Sequence, residues 1–171
     1  AVKKNIVNNY LSPFERNNFQ VDVVNIQPMA LISILEYQKE LDGNVAVIDI
    51  GTNASQVIIA NKKNIILSRT IDTGGQNFTK ALMDIDRIEF NNAEEKKFEY
   101  GLESENTDQT NESIDSLQLE STIGEEKRLN TLAESLTSEI TRSFNYFNIK
   151  KRGEEISKIF ITGGGAKLKG L

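Results

Sequence analysis

Cysteine and histidine are both absent from these 171 residues. Without cysteine there is no disulfide and no thiol chemistry, which suits a reducing compartment. Without histidine, histidine-based triads and histidine-ligated metal sites are excluded. Proline occurs only twice. No apolar run approaches the roughly 20 residues that a membrane-spanning helix needs. Basic residues are in the minority: the net charge is −5, which argues against a nucleic-acid binder. No secretory leader is visible, and because the chain opens on Ala1 a missing true start is expected. What is present is a hydrophobic content of 38%, enough to pack one sizeable domain or two small lobes.

The charge is unevenly placed. From Phe98 to Glu126 there are nine acids and no lysine or arginine, and the rest of the chain is then about +4. Glu103–Glu112 is rich in Asn, Thr, Ser and Glu and nearly free of apolar side chains. Such a stretch buries too little to offset its ordering entropy and reads as a mobile acidic loop, about residues 101–124.

The chain is organised around Val45–Ala60, VAVIDIGTNASQVIIA. Val45–Ile48 is an uninterrupted apolar run, as in a strand buried on both faces. Asp49-Ile50-Gly51-Thr52-Asn53 is a turn carrying an acid, a glycine and a hydroxyl, and Gln56–Ala60 follows as the next strand. Gly51 lets the backbone approach a ligand and adopt positive φ if needed. The amides of Gly51, Thr52 and Asn53 can then converge on a phosphate. Asp49 beside them can hold the hydration shell of magnesium, which keeps its waters. The same residues also fit an ordinary hairpin with a turn aspartate.

Before this core, Lys3–Asn17 has helical spacing, with Pro13 interrupting it and Asn17-Asn18 as a left-handed cap. Val21–Ile26 reads as a short strand, and Pro28 opens a helix over Met29–Leu41. Strands are expected at Val45–Ile50, Gln56–Ala60 and Ile65–Thr70, joined by tight turns in an antiparallel meander. Asp72–Gly75 leads into a helix around Asn77–Met83. Asn91 or Asn92 caps another over Ala93–Tyr100, closed by Gly101. The longest helix is expected at about Glu126–Asn148, with the stripe Leu129, Leu132, Ala133, Leu136, Ile140, Phe144 and Phe147. Ile156–Thr162 is a last buried strand, and Gly163-Gly164-Gly165 looks like a glycine turn opening a helix. The meander is antiparallel and the helix–strand alternation is parallel, so a mixed sheet follows. Val45, Val47, Val57, Ile58, Ile66, Ile159 and Ile161 are its expected core.

A strand ending in three glycines brings backbone close to a flat or anionic ligand, though such turns also serve close packing. The spacing GGGAKLKG does not fit a dinucleotide fingerprint, and no GxxxxGK[ST] phosphate loop exists. The ordered combination is more specific: DIGTN in a hairpin, SRTIDTGGQNFTKAL, the AExxK helix, SEITRSFNYF in a long helix, then TGGGAKLKGL. It resembles the actin-like ATPase superfamily, and within it the PilM family of type IV pilus assembly proteins. The cell-division family FtsA shares several motifs, but there a larger strand-containing subdomain separates the AExxK helix from the long helix.

The resemblance implies an actin-like, ribonuclease H-like α/β fold. Residues 1–42 would be the end of a first lobe with its connecting helix, and 43–171 most of a second lobe. The first phosphate loop and everything after the adenosine motif would lie outside this sequence. The implied ligands are ATP and Mg. Asp49 would hold magnesium through water, and Gly51, Thr52 and Asn53 would cradle the terminal phosphates. Glu94 and Lys97 would flank ribose and adenine; they also read as a solvated charge run. Gly163, Gly164 and Gly165 would lie against the ribose and α-phosphate. Gln27 would orient the attacking water, or is simply a residue before a helix-starting proline. Arg69 reaches the cleft or lies on the surface, and Glu139 with Arg142 forms a local pair. ATP binding is expected of the full-length protein, with hydrolysis weak or absent. The implied role is a cytoplasmic scaffold at the inner face of the cell membrane. Its partner would be the tail of a PilN-like membrane protein, with other pilus assembly proteins, and no nucleic acid; a homo-oligomer stays open. The alternative is an FtsA- or MreB-like filament-forming ATPase. A sugar kinase would need an aspartate base that is not evident.

Overall fold

The computed structural model describes residues 3–62, 64–102 and 116–171, and for 116–126 the course of the helix alone. In chain order the elements are α1 (Lys4–Arg16), α2 (Gln27–Tyr37), β1 (Asn44–Ile50), β2 (Ser55–Ala60), β3 (Ile65–Ile71), α3 (Gly75–Asp86), α4 (Phe90–Tyr100), α5 (Ser116–Lys150) and β4 (Ile156–Thr162). A single 3₁₀ turn, Gly165–Lys167, follows.

The four strands form one mixed sheet in the order β3-β2-β1-β4. β1, β2 and β3 are an antiparallel meander, and β4 lies parallel beside β1. Two tight turns set the meander: the Gly51 amide donates to the Ala54 carbonyl (3.1 Å), and that of Asn61 to Asn64 (3.0 Å). β1 is central and covered on both faces. Val45 and Val47 pack with Ile58 beneath Leu35 of α2 and Leu41. On the opposite face Ile48, Ile50, Val57 and Ile71 meet Leu136 of α5, and Ala46 and Ile59 meet Phe147. That two-sided cover is why β1 is a continuous apolar run rather than an alternation. A third cluster joins α3, α4 and α5 through Phe78, Leu82, Ala93, Leu102, Leu129 and Leu168.

Several expectations are corrected. Pro13 does not interrupt α1: the Ser12 hydroxyl donates to the Asn9 carbonyl (3.4 Å), the acceptor that proline's missing amide leaves. Asn18 does take the left-handed conformation, at φ 58°. Val21–Ile26 forms no strand, because no ladder partner lies beside it among the described residues, and Val21, Val23, Val24 and Ile26 are exposed. α2 stops at Tyr37, with Lys39 left-handed, and Leu41 reaches the core from the following segment. Asn91 and Asn92 lie inside α4, which starts at Phe90. α5 begins at Ser116, so residues 116–124 are helix rather than acidic loop; the expected mobility of Glu103–Glu112 falls outside the described residues. Ile66 is only half-buried, and Ile159 and Ile161 are 52% and 63% exposed, because β4 is the outer strand of the sheet.

Candidate functional site

Three backbone turns meet at one end of the sheet. The first, after β1, carries Gly51, Thr52 and Asn53. The second is the Gly74–Gln76 entry to α3. A helix begins with amides that have no intrahelical acceptor, and here the Gly75 amide donates to the Gly51 carbonyl (2.9 Å) and the Gln76 amide to that of Thr52 (2.8 Å). The Asn77 side chain accepts from the Gly74 amide (2.9 Å). The start of α3 is thus clamped onto the β1–β2 turn. The third turn, Gly163–Gly165, follows β4. Since β4 runs parallel to β1 with Thr162 opposite Asp49, both strands deliver their turns to the same edge.

Gly163 has φ +92°, and a Cβ there would lie 2.4 Å from Asp49 Oδ1. Only glycine fits so close to the acid. A Cβ at Gly164 would meet nothing within 4 Å, so the backbone there faces open space.

α4 supplies the opposite wall. Phe90, Glu94 and Phe98 recur every fourth residue and share one side of the helix. With Lys97 they line a cleft of about 130 Å³ whose other walls include Gly51, Thr52, Gly75, Gln76, Gly164 and Gly165. Lys97 is 7% exposed. Its ammonium donates to Thr79 Oγ1 (2.9 Å), to Glu94 Oε1 and, at 3.5 Å, to the Gly75 carbonyl. The Thr79 hydroxyl, itself fully buried, also contacts Glu94 Oε1. Partial burial opposes the Glu94 charge, but the hydrogen bonds from Lys97 and Thr79 and the Lys97 charge outweigh it, holding the carboxyl below its ordinary pKa. These two residues therefore form an ion pair with Lys97 buried and Glu94 partly exposed at the cleft, and not a solvated charge run.

Gln27 opens α2, which covers the sheet face carrying Asp49, and its amide donates to Asp49 Oδ2. Asp49, Gln27 and Gly163 thus form one group beside the cleft, while Gly51, Thr52, Glu94, Lys97, Gly164 and Gly165 line it. Asn53 is exposed and outside the lining. The expectation that Gly51 offers its amide to a phosphate is corrected, because Ala54 takes that hydrogen bond; nor does Gly51 have positive φ. Arg69 pairs with Glu139 of α5, which also holds Arg142, so it is bound away from the cleft. Gly75, Gln76, Phe90, Phe98, Leu168 and the buried Thr79 were not singled out from the sequence. The signal for the first two was present, since Gly74-Gly75 stands just past a strand end, as Gly51 does.

A mixed sheet between helices, with glycine turns from two parallel strands at one edge and a helix-borne ion pair across from them, is the actin-like ATPase fold. Structural alignment supports this. The PilM–PilN type IV pilus biogenesis complex superposes with TM-score 0.70 and 23% identity, over 96% of this chain and 42% of that one. MreB 5 of Spiroplasma citri bound to AMPPNP follows at 0.67 and 17%, over 98% and 55%. The chain belongs to the family described as type IV pilus assembly protein PilM, whose model matches residues 1–171. Cell division protein FtsA of Enterococcus hirae is 26% identical over 176 aligned residues, covering 98% of this chain and 39% of FtsA. The chain thus spans about two fifths of the length of the curated relatives it matches.

Proposed function

We propose that this chain is the nucleotide-holding part of an actin-like scaffold of type IV pilus assembly, with residues 1–42 ending a first lobe and 43–171 forming most of a second. The observation that carries this is the convergence of the Gly51, Gly75 and Gly164 turns with Glu94 and Lys97 on one cleft. A nucleotide fits this lining: the floor at Gly164 is bare backbone in open space, and ligands of open α/β folds sit beyond the strand ends. Gly163–Gly165 would lie against the sugar and α-phosphate, Thr52 and Asn53 beside the terminal phosphates, and Glu94 with Lys97 at ribose and base. Among the described residues no three acids cluster to chelate a bare ion. A single carboxylate such as Asp49 suits magnesium held through its waters. Bound there, magnesium would neutralise phosphate charge. Gln27 can orient a water but is a poor base, so hydrolysis is expected to be weak or absent.

The scaffold would act at the inner face of the cell membrane, in the cytoplasm, docking the tail of a PilN-like membrane protein and other pilus assembly proteins. No helix among the described residues is long and apolar enough to span a membrane. A PilM–PilN complex is among the matching structures, which supports such a partner.

Calorimetry of the full-length protein with Mg-ATP tests the site. Wild type should bind, Asp49→Ala should lose about tenfold or more of the magnesium-dependent affinity, corresponding to one charge-assisted contact, and this chain alone should bind more weakly. Equal binding by wild type and Asp49→Ala would end the assignment. The FtsA similarity favours a second reading, a filament-forming ATPase. Nucleotide-dependent sedimentation of the full-length protein into polymer would select it.

A further inference from the structure

Between Ile140 and Gly153 the sequence TRSFNYFNIKKR carries four basic residues, Arg142, Lys150, Lys151 and Arg152, and no acid, in a chain whose net charge is −5. Most of it is the end of α5. Ser143 and Phe147 turn inward and are buried, Phe147 against the sheet. The opposite face carries Arg142, Tyr146 and Lys150, which recur every fourth residue, with Ile149 beside them. Tyr146 is 51% exposed and Ile149 72%. The Lys150 ammonium donates to the Tyr146 hydroxyl (3.3 Å) and lies 5.4 Å from the centre of its ring. Arg69 of β3 adjoins the stripe, since Glu139 sits between its guanidinium and that of Arg142. The turn after α5 adds Lys151, 3.3 Å from Glu154, and the exposed Arg152. Even with Glu139, Glu154 and the neighbouring Glu155 counted, five basic side chains here stand against three acidic ones.

Cations in the last turn of a helix complement its dipole, and that accounts for Lys150. It does not account for Arg142, about two turns earlier, or for a tyrosine and an isoleucine left in solvent among the cations. Anionic headgroups attract clustered lysine and arginine. Tyrosine sits at the headgroup level, and an aliphatic side chain beside it can enter the acyl boundary. A bound peptide asks for a groove or a strand edge, and the outer face of a helix packed on a sheet is convex. A flat, fluid surface needs neither. We propose that the outer face of α5 from Arg142 to Lys150, with Arg69 and Arg152 beside it, is a docking surface for an anionic phospholipid bilayer. The contact is reversible and lies on the headgroups, with no segment crossing the bilayer. It is independent of the nucleotide reading above.

The test is flotation of the full-length protein with vesicles of equimolar phosphatidylglycerol and phosphatidylcholine, and with vesicles of phosphatidylcholine alone, in low and in high salt. Wild type should float with the anionic vesicles in low salt, and salt should release it by screening; this comparison needs no variant. Arg142→Gln combined with Lys150→Gln should lower the partition coefficient roughly tenfold or more, at about fivefold for each charge near an anionic surface. Ile149→Ser should lower it about fivefold through lost burial. Lys80→Gln combined with Lys127→Gln removes the same charge from exposed positions elsewhere and should change it by less than about twofold. All the replaced side chains lie on the surface, so every variant should keep the wild-type circular dichroism spectrum. Equal flotation with both vesicle types, no flotation of the wild type, or an equal loss in the Lys80 and Lys127 variant would overturn the proposal. So would wild-type flotation in both stripe variants. Binding to poly-glutamate but not to vesicles would assign the face to an acidic protein and overturn the lipid reading.

Discussion

Lys97 lies inside the protein with three acceptors around its side-chain nitrogen, and a buried ion survives only when so paired. The consequence for Glu94 is a pH dependence of known sign. Its folded pKa lies below the ordinary value of 4.5. Its contribution is therefore fully present above the ordinary carboxylate range and is lost as pH falls through the folded value. Urea melts at pH 7, 5 and 3 should show wild type more stable than Glu94→Gln at neutral pH, with the gap shrinking on acidification; a constant gap would show that the pair does not titrate. Gly163→Ala should cost at least about 1–2 kcal/mol from the positive φ alone, with the Asp49 contact adding to it. An unchanged denaturation midpoint would mean that the turn relaxes freely. The sequence pattern gave Asp49 and the glycines, since an acid or glycine at a strand end has few roles. It left the state of Lys97 open, because solvated and buried lysines look alike until Thr79, 18 positions away, comes to lie beside it.

At the scale of elements, α5 joins two parts of the molecule. Its Leu129 lies in the cluster with α3 and α4, and Leu136 and Phe147 lie against the sheet. Leu136 is 1% exposed, so Leu136→Ala should cost roughly 2–5 kcal/mol by transfer and cavity terms, read from chemical denaturation. A cost below about 1 kcal/mol would show that the helix seam is loose. The helix was legible from its heptad-like stripe, and β1–β3 from apolar runs separated by Asn- and Gly-bearing turns. Val21–Ile26 misled because apolar composition cannot report whether a partner strand is present. The end of the acidic stretch misled because its charge masks a helix that continues from the stripe beyond it. The burial of Ile159 and Ile161 was misjudged for a related reason: alternation fixes which face a residue is on, and neighbours decide whether that face is covered.

Across the whole molecule, the middle of the sheet is closed and its border at β4 is open. β1 is sealed between α2 and α5, while β4 has no strand beyond it among the described residues and presents Ile159 and Ile161 outward. The single charge within that strand is Lys158, whose ammonium is 2.6 Å from Glu40; that carboxylate holds its pKa above the ordinary lysine value. A lysine on an open edge is a usual guard against strand addition. Lys158→Val should therefore leave the circular dichroism spectrum of a dilute sample unchanged but make light scattering rise at lower protein concentration than in wild type; identical scattering curves would show that the edge is guarded by something else. For anyone handling this chain, that makes dilution and ionic strength preparative variables. Salt that screens the Lys158 charge weakens the guard, so a concentrated stock should keep its copies apart along this border better at low ionic strength.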